Sequence, residues 1–302
     1  MRKEFSIAIE KIAASEERLI FLTGDLGFMA LENVRDTMGT RFINAGVSEQ
    51  NMVSVAAALA TEGLLPICYS IAPFIVFRPT EQIRLDVCLH NLNVKIVGNG
   101  GGYGYGIMGA THHALEDIAV LSSFQNMKCF IPFCNEDVEN TINAMFLYKG
   151  PSYLRLGYGV KPVNISIPAF QPTRNILKGN DITIVAMGPV VLNAINAITR
   201  NTPSADVFVI SELPLDNITE DLKQSIKRTG RLLVLEEHVQ RGGMGEHIAQ
   251  KLLSSQITCS FKHLFATGYP DGLYGSQSYH QQQSGLDEKS ILLTIKSMLN
   301  EQ

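Results

Sequence analysis

Short apolar runs alternate with amphipathic ones along the whole chain. Leu19–Thr23 opens with four apolar residues and stops at Gly24-Asp25-Leu26-Gly27. Residues 41–44, 65–70, 94–98, 128–132 and 152–156 repeat this pattern of a short apolar run closed by turn residues. Between them, residues 4–15, 48–60, 83–90, 115 onward and 135–147 carry helical spacing, with Ser48 and Asn135 placed as N-caps. Strands that are apolar along their length and separated by helices predict a parallel sheet covered on both faces.

Residues 161–180 turn polar and hold Pro162, Pro168 and Pro172, which predicts a linker. The alternation then restarts with a strand at 181–188, a helix at 190–200 and strands at 206–210 and 231–237. Gly242-Gly243-Met244-Gly245 leads into a further helix at 246–253. The expected organisation is α/β with two doubly wound domains. The first has a mostly parallel sheet over 1–165, a linker covers 166–180, and a smaller α/β domain covers 181–302. The polar, glycine-containing stretch 269–284 reads as a mobile arm.

Composition narrows the function classes. The 302 residues carry a formal net charge of -4 and no basic run, which argues against nucleic acid and a polybasic membrane anchor. Five scattered cysteines without a CxxC pair read as reduced core residues of a cytoplasmic protein. The most apolar region, 52–77, is interrupted by Glu62, Gly63, Pro66 and Pro73, so it is not read as a membrane span.

Gly46-Val47-Ser48-Glu49-Gln50-Asn51-Met52 places a carboxylate in the first turn of a helix rich in small apolar residues, expected to be buried on most sides. A carboxylate there offsets the helix dipole and needs no other role. Buried, it also needs a partner or a raised pKa. The segment resembles the cofactor-activating segment of the transketolase family, which includes deoxyxylulose-phosphate synthases and the beta subunits of 2-oxo-acid dehydrogenases. The resemblance implies that Glu49 hydrogen-bonds a ring nitrogen in the aminopyrimidine of thiamine diphosphate and so activates the cofactor.

Further segments carry the same resemblance. Tyr69-Ser70-Ile71-Ala72-Pro73-Phe74-Ile75-Val76-Phe77 is similar to the family's pyrimidine-enclosing segment, which implies Phe74, Phe77 and Ile71 as pocket walls. Aromatic residues here would be core in most proteins, and Ile71 stands where transketolases often carry another aromatic. Asp25 and Leu26 lie in a turn similar to one that meets the cofactor in the family, although Gly-Asp turns are common. Gly104-Tyr105-Gly106-Ile107-Met108-Gly109 satisfies GxGxxG, a weak dinucleotide signal here because the loop is long and lies mid-domain.

Gly109-Ala110-Thr111-His112-His113 instead resembles the family's Gly-x-Thr-His-Gln segment, which implies His112, with His113, as proton-handling groups facing the substrate. Histidines satisfied in a turn are the competing reading. Ser152-Tyr153-Leu154-Arg155-Leu156 resembles the family's arginine segment and implies Arg155 on a substrate phosphate; an arginine paired with an acid fits equally. Tyr103, in the glycine run, is a further expected substrate contact. Transketolases carry a histidine and an aspartate where Gly100 and Met108 stand, so a wider, glycine-lined mouth for an unusual sugar is expected.

The Gly-Asp-Gly segment and downstream asparagines that mark the family's diphosphate-binding domain are not in this sequence. The resemblance therefore implies a split enzyme. A partner chain would carry that domain with Mg²⁺ or Ca²⁺, this chain would hold no metal, and heterodimers would pair into a dimer. The expected reaction is transfer of a two-carbon ketol unit from a ketose to an aldehyde or ketone sugar, free or phosphorylated. The alternatives are the beta subunit of a 2-oxo-acid dehydrogenase and a non-catalytic subunit retaining the fold.

Overall fold

A computed structural model describes residues 1–27, 29–200 and 203–300. The first six strands are β1 (Leu19–Thr23), β2 (Phe42–Asn44), β3 (Leu65–Ile71), β4 (Lys95–Asn99), β5 (Lys128–Phe130) and β6 (Ser152–Leu156). They are followed by β7 (Thr173–Leu177), β8 (Ile182–Met187), β9 (Ala205–Ile210), β10 (Glu212–Leu213), β11 (Arg231–Glu236) and β12 (Ser260–Phe265). The first sheet has seven strands in the order β10-β5-β6-β4-β3-β1-β2, parallel except for β10 against β5. The second has five, in the order β12-β11-β8-β9-β7, parallel except for β7 against β9. The fold is the α/β architecture that alternating apolar strands and helices require. Every residue of β3, β6, β8 and β9 is buried, as strands covered on both faces must be.

Two boundaries differ from expectation. The stretch 166–180 is not simply a linker, because β7 lies inside it and closes the second sheet. Its short alternation was masked by the three prolines before it. The halves are also joined, because β10 leaves the second unit to pair with β5 of the first. Arg174 on β7 reinforces this. Its guanidinium donates to both carboxylate oxygens of Asp137, at 2.7 and 2.6 Å, and to Ser211 Oγ at 2.6 Å. It also lies over the rings of Phe133 and Phe170 at 5.4 and 5.3 Å. One core cluster runs from Leu22, Met52 and Cys129 through to Met187, Leu232 and Met244, so apolar packing crosses the boundary too.

Helix α1 (Arg2–Ala13) packs Phe5 against Tyr69 and Phe21 of the first sheet. α2 (Glu32–Met38) follows β1, and α3 (Glu49–Thr61) follows β2. α3 buries Glu49, Met52, Val53, Ala56 and Ala57, a single stripe at i, i+3, i+4, i+7 and i+8. It is therefore buried on one face rather than on most sides, and Val55 on the other face is 39% exposed. Ser48 holds the N-cap position, yet its side chain makes no capping bond. α4 (Ala72–Phe77) begins immediately after β3, with Pro73 in its first turn.

The C-terminal stretch is not a mobile arm. Residues 277–283 form a helix capped by Ser276 Oγ, His280 is 1% exposed, and Tyr269 bonds to His113. Its polar composition goes into internal hydrogen bonds. Among the described residues, no helix is long and apolar enough to cross a membrane.

Candidate functional site

In a parallel α/β sheet, ligands bind outside the carboxyl ends of the strands. Glu49, Phe74 and His112 all lie at this edge of the first sheet, just beyond β2, β3 and β4. Glu49 sits at the first turn of α3 and is 3% exposed. Ser70 on β3 donates to Glu49 Oε1 at 3.1 Å, and Arg78 donates to Oε2 at 2.8 Å. Arg78 follows α4, and its guanidinium lies 4.0 Å from the centroid of the Phe74 ring. Its side chain is 42% exposed, so this partner can leave for solvent at little cost, whereas Ser70 cannot. An open cleft lined by Val47, Ser48, Glu49, Gln50, Asn51 and Arg78 adjoins the carboxylate.

The row continues. Phe74 meets His112 edge-on at 5.1 Å, and His112 faces Tyr105 at 5.9 Å. His112 Nδ1 lies 2.9 Å from Thr111 Oγ1 and the ring is half-buried. Ile71 is buried at the end of β3, and Phe77 is 39% exposed at the end of α4. Asp25 and Asn44 exchange bonds across the β1–β2 loops at 2.8 and 3.1 Å, and Leu26 packs partly buried beside them. Asp25 is thus engaged with Asn44 at a second depression, which Thr23, Leu31 and Phe42 also line.

Three expected site residues are placed elsewhere. His113 is 3% exposed, with Nε2–H donating to Gly106 O and Nδ1 accepting from Tyr269 O–H, each at 2.7 Å. Both ring nitrogens are occupied, so it fastens the loop rather than handling substrate protons. Arg155 is buried; it pairs with Asp117 at 2.8 Å and donates to the carbonyls of Ala114 and Glu237. With its donors committed inside the protein, it does not reach a phosphate. Tyr103 is fully buried, its N–H on Glu237 Oε1 at 2.7 Å and its hydroxyl at Gly268 O and Ser284 Oγ.

The glycine run does not widen the mouth either. A side chain at Gly101 would meet Arg155, and one at Gly102 would meet Glu237 Oε1 at 2.3 Å. The glycines give room to the protein's own side chains. Glu237 is the main fastening, and no feature of the sequence around it marks it as such; it also accepts from Gln277 at 2.9 Å and Gln281 at 2.6 Å. Burial pushes its carboxyl above the usual carboxylate range, against the pull of those bonds.

This fastening is pH-sensitive. Burial pushes the pKa values of both His113 and His280 down. The unfolded chain therefore binds more protons than the folded one between the lowered values and about 6.5. Stability from these two histidines is complete above that window and declines as pH falls through it, whereas Glu237, with its raised pKa, acts in the opposite sense. Hydrogen exchange, corrected for its intrinsic pH dependence, is expected to accelerate in 106–113 and 269–284 between pH 7 and pH 5, ahead of β3 and β8.

Arg78 and Ser70 are further site residues that the motifs do not single out. Arg78 carries a legible signal, because it stands four residues after Phe74 in a helical run, the spacing at which side chains meet. Among the described residues no histidine, cysteine or carboxylate group is arranged to hold a metal.

A buried carboxylate, linked through Arg78 to the Phe74 ring, thus stands at the carboxyl edge of a parallel sheet backed by a second α/β unit. Residues 1–159 match the family model for the transketolase pyrimidine-binding domain, and residues 173–291 match that for the transketolase C-terminal domain. The chain belongs to the transketolase family. It is 29% identical to a subunit of apulose-4-phosphate transketolase from Phocaeicola vulgatus, over 97% of this chain and 95% of that protein. It is 32% identical to the like-named protein of Actinobacillus succinogenes, over 83% of each. Among solved structures, a split gene transketolase in an inactive beta4 tetramer superposes with a TM-score of 0.83 at 27% identity, covering 99% of this chain and 97% of that one.

Proposed function

We propose that this chain is the pyrimidine-holding, beta-type subunit of a two-chain, thiamine diphosphate-dependent ketol transferase. The observation that carries the reading is Glu49: a carboxylate 3% exposed, in the first turn of α3, with an open cleft beside it and Arg78 bridging it to the Phe74 ring. These groups fit the pyrimidine half of thiamine diphosphate. Glu49 Oε2 would meet a pyrimidine ring nitrogen once Arg78 moves aside, and Phe74 would offer its ring face in place of that guanidinium. Ile71 and Phe77 would complete the wall. When bound, the cofactor supplies the carbon nucleophile that breaks and makes the carbon–carbon bond.

This chain's own part is to hold and move protons. Glu49 holds a proton at Oε2 against the pyrimidine, and Ser70 keeps the carboxylate oriented through Oε1. His112 exchanges a proton with a substrate oxygen through its imidazole. The half-buried row from Phe74 to Tyr105 keeps bulk water away from the reacting groups. We assign the diphosphate and its Mg²⁺ or Ca²⁺ to a partner chain. The near full-length similarity to single subunits of transketolases and to the product of a split gene supports this. Pairing of two such heterodimers would place each site where two chains meet.

The test is reconstitution. The chain is mixed with a partner chain carrying the Gly-Asp-Gly segment, thiamine diphosphate, Mg²⁺, a ketose donor and an aldose acceptor. A lengthened sugar product is expected from the pair and from neither chain alone. Transfer to a lipoyl domain instead of a sugar would reassign the chain to the 2-oxo-acid dehydrogenases, and no transfer of either kind would leave a non-catalytic subunit.

A further inference from the structure

We infer that Tyr105 is a substrate-binding, specificity-determining residue, whose phenol donates a hydrogen bond to a hydroxyl or carbonyl oxygen of the polyhydroxylated substrate. This rests on the proposed ketol-transfer function and assigns one contact within that site.

The inference starts from how the loop seats the ring. Gly100 has φ +76°, and a side chain there would lie 2.2 Å from Tyr105 Cε2. Position 100 must therefore stay bare for the ring to lie on the backbone just beyond β4. Gly104 packs onto Gly100 at a distance that likewise excludes a side chain. A short 3₁₀ turn, Gly106–Met108, begins immediately after Tyr105. These features pin the ring in one place.

The hydroxyl is then aimed. Asn99, at the carboxyl end of β4, donates from Nδ2 to the Tyr105 oxygen at 2.9 Å. That uses the phenol as acceptor, and among the described residues the phenol's own proton has no acceptor. Burial pushes the Tyr105 pKa up, so the hydroxyl stays a donor at neutral pH. The ring is half-buried and lies beside His112, which faces Phe74 in the row that leads to Glu49. A hydroxyl whose oxygen is fixed by a neighbouring amide and whose proton has no acceptor among the described residues, next to the proposed proton-transfer group, suits a substrate oxygen. Such oxygens are what a ketose or aldose presents.

The experiment uses the reconstituted pair. Tyr105→Phe keeps the ring that covers Gly100 and removes only the hydroxyl. The expected result is a rise of about tenfold in KM for one of the two sugars, the typical cost of one neutral hydrogen bond. kcat should change less than about threefold, and thiamine diphosphate affinity should be unchanged. An unchanged KM for both sugars would overturn the inference. So would a fall in cofactor affinity that matches the rise in KM, which would make Tyr105 a structural residue only. Glu49→Gln is assayed alongside. If it keeps its turnover, the proposed function fails whatever Tyr105 does; if it is inactive while Tyr105→Phe behaves as wild type, only the role assigned to Tyr105 fails.

Discussion

Glu49→Gln in the reconstituted pair is expected to lower kcat by about 10³-fold, within the range for loss of a positioned acid–base group. The substitution is close to isosteric, and Ser70 can still donate to the amide oxygen at Oε1. What disappears is the ability to hold and release a proton at Oε2, where Arg78 now sits. Stability should not fall in parallel. Removing the charge relieves a carboxylate that is 3% exposed, and the arginine left behind is 42% exposed and finds water. Loss of activity with an equal or higher unfolding midpoint is the expected signature, since functional groups are often kept at a cost to stability. Turnover within about threefold of wild type would remove Glu49 from the mechanism.

Arg174→Met is expected to destabilise the chain by about 3–5 kcal/mol, the scale for breaking one side of a buried ion pair. Arg174 and Asp137 have side chains 1% and 0% exposed, so neither charge is relieved by water when the other is lost. Among the described residues Asp137 would keep only the Phe133 N–H at 3.3 Å, and Ser211 Oγ would lose a donor. The double variant Asp137→Leu with Arg174→Met should recover a large part of the loss, because an apolar pair leaves no orphaned charge. Urea unfolding followed by circular dichroism gives both numbers. A loss below about 1 kcal/mol for Arg174→Met would show that the joint between the two halves does not depend on this pair.

The strands were legible because burial on both faces leaves an apolar signature independent of partners. Leu19–Thr23 and Ser152–Leu156 could be bounded to the residue. β7 and β10 were not legible, since both are short strands whose identity comes from pairing rather than pattern. The site divides in the same way. Glu49, Phe74 and His112 stand in contiguous motifs, and the fold brings them into one row. His113, Tyr103 and Arg155 stand in equally suggestive motifs, but most of their partners come from far along the chain, at residues 114, 117, 237, 268, 269 and 284. No local spacing reveals that a distant carboxylate or carbonyl will occupy a side chain. The same holds for the glycine run, whose openness in sequence is filled by Tyr105, Arg155 and Glu237 in space.

The most direct measurement is a titration of thiamine diphosphate and Mg²⁺ into this chain, its partner and the equimolar mixture, followed by near-ultraviolet circular dichroism. Saturable binding in the mixture alone, abolished or strongly weakened when this chain carries Glu49→Ala, is the predicted result. Equal binding by the partner without this chain, or by the mixture regardless of Glu49, would contradict the account.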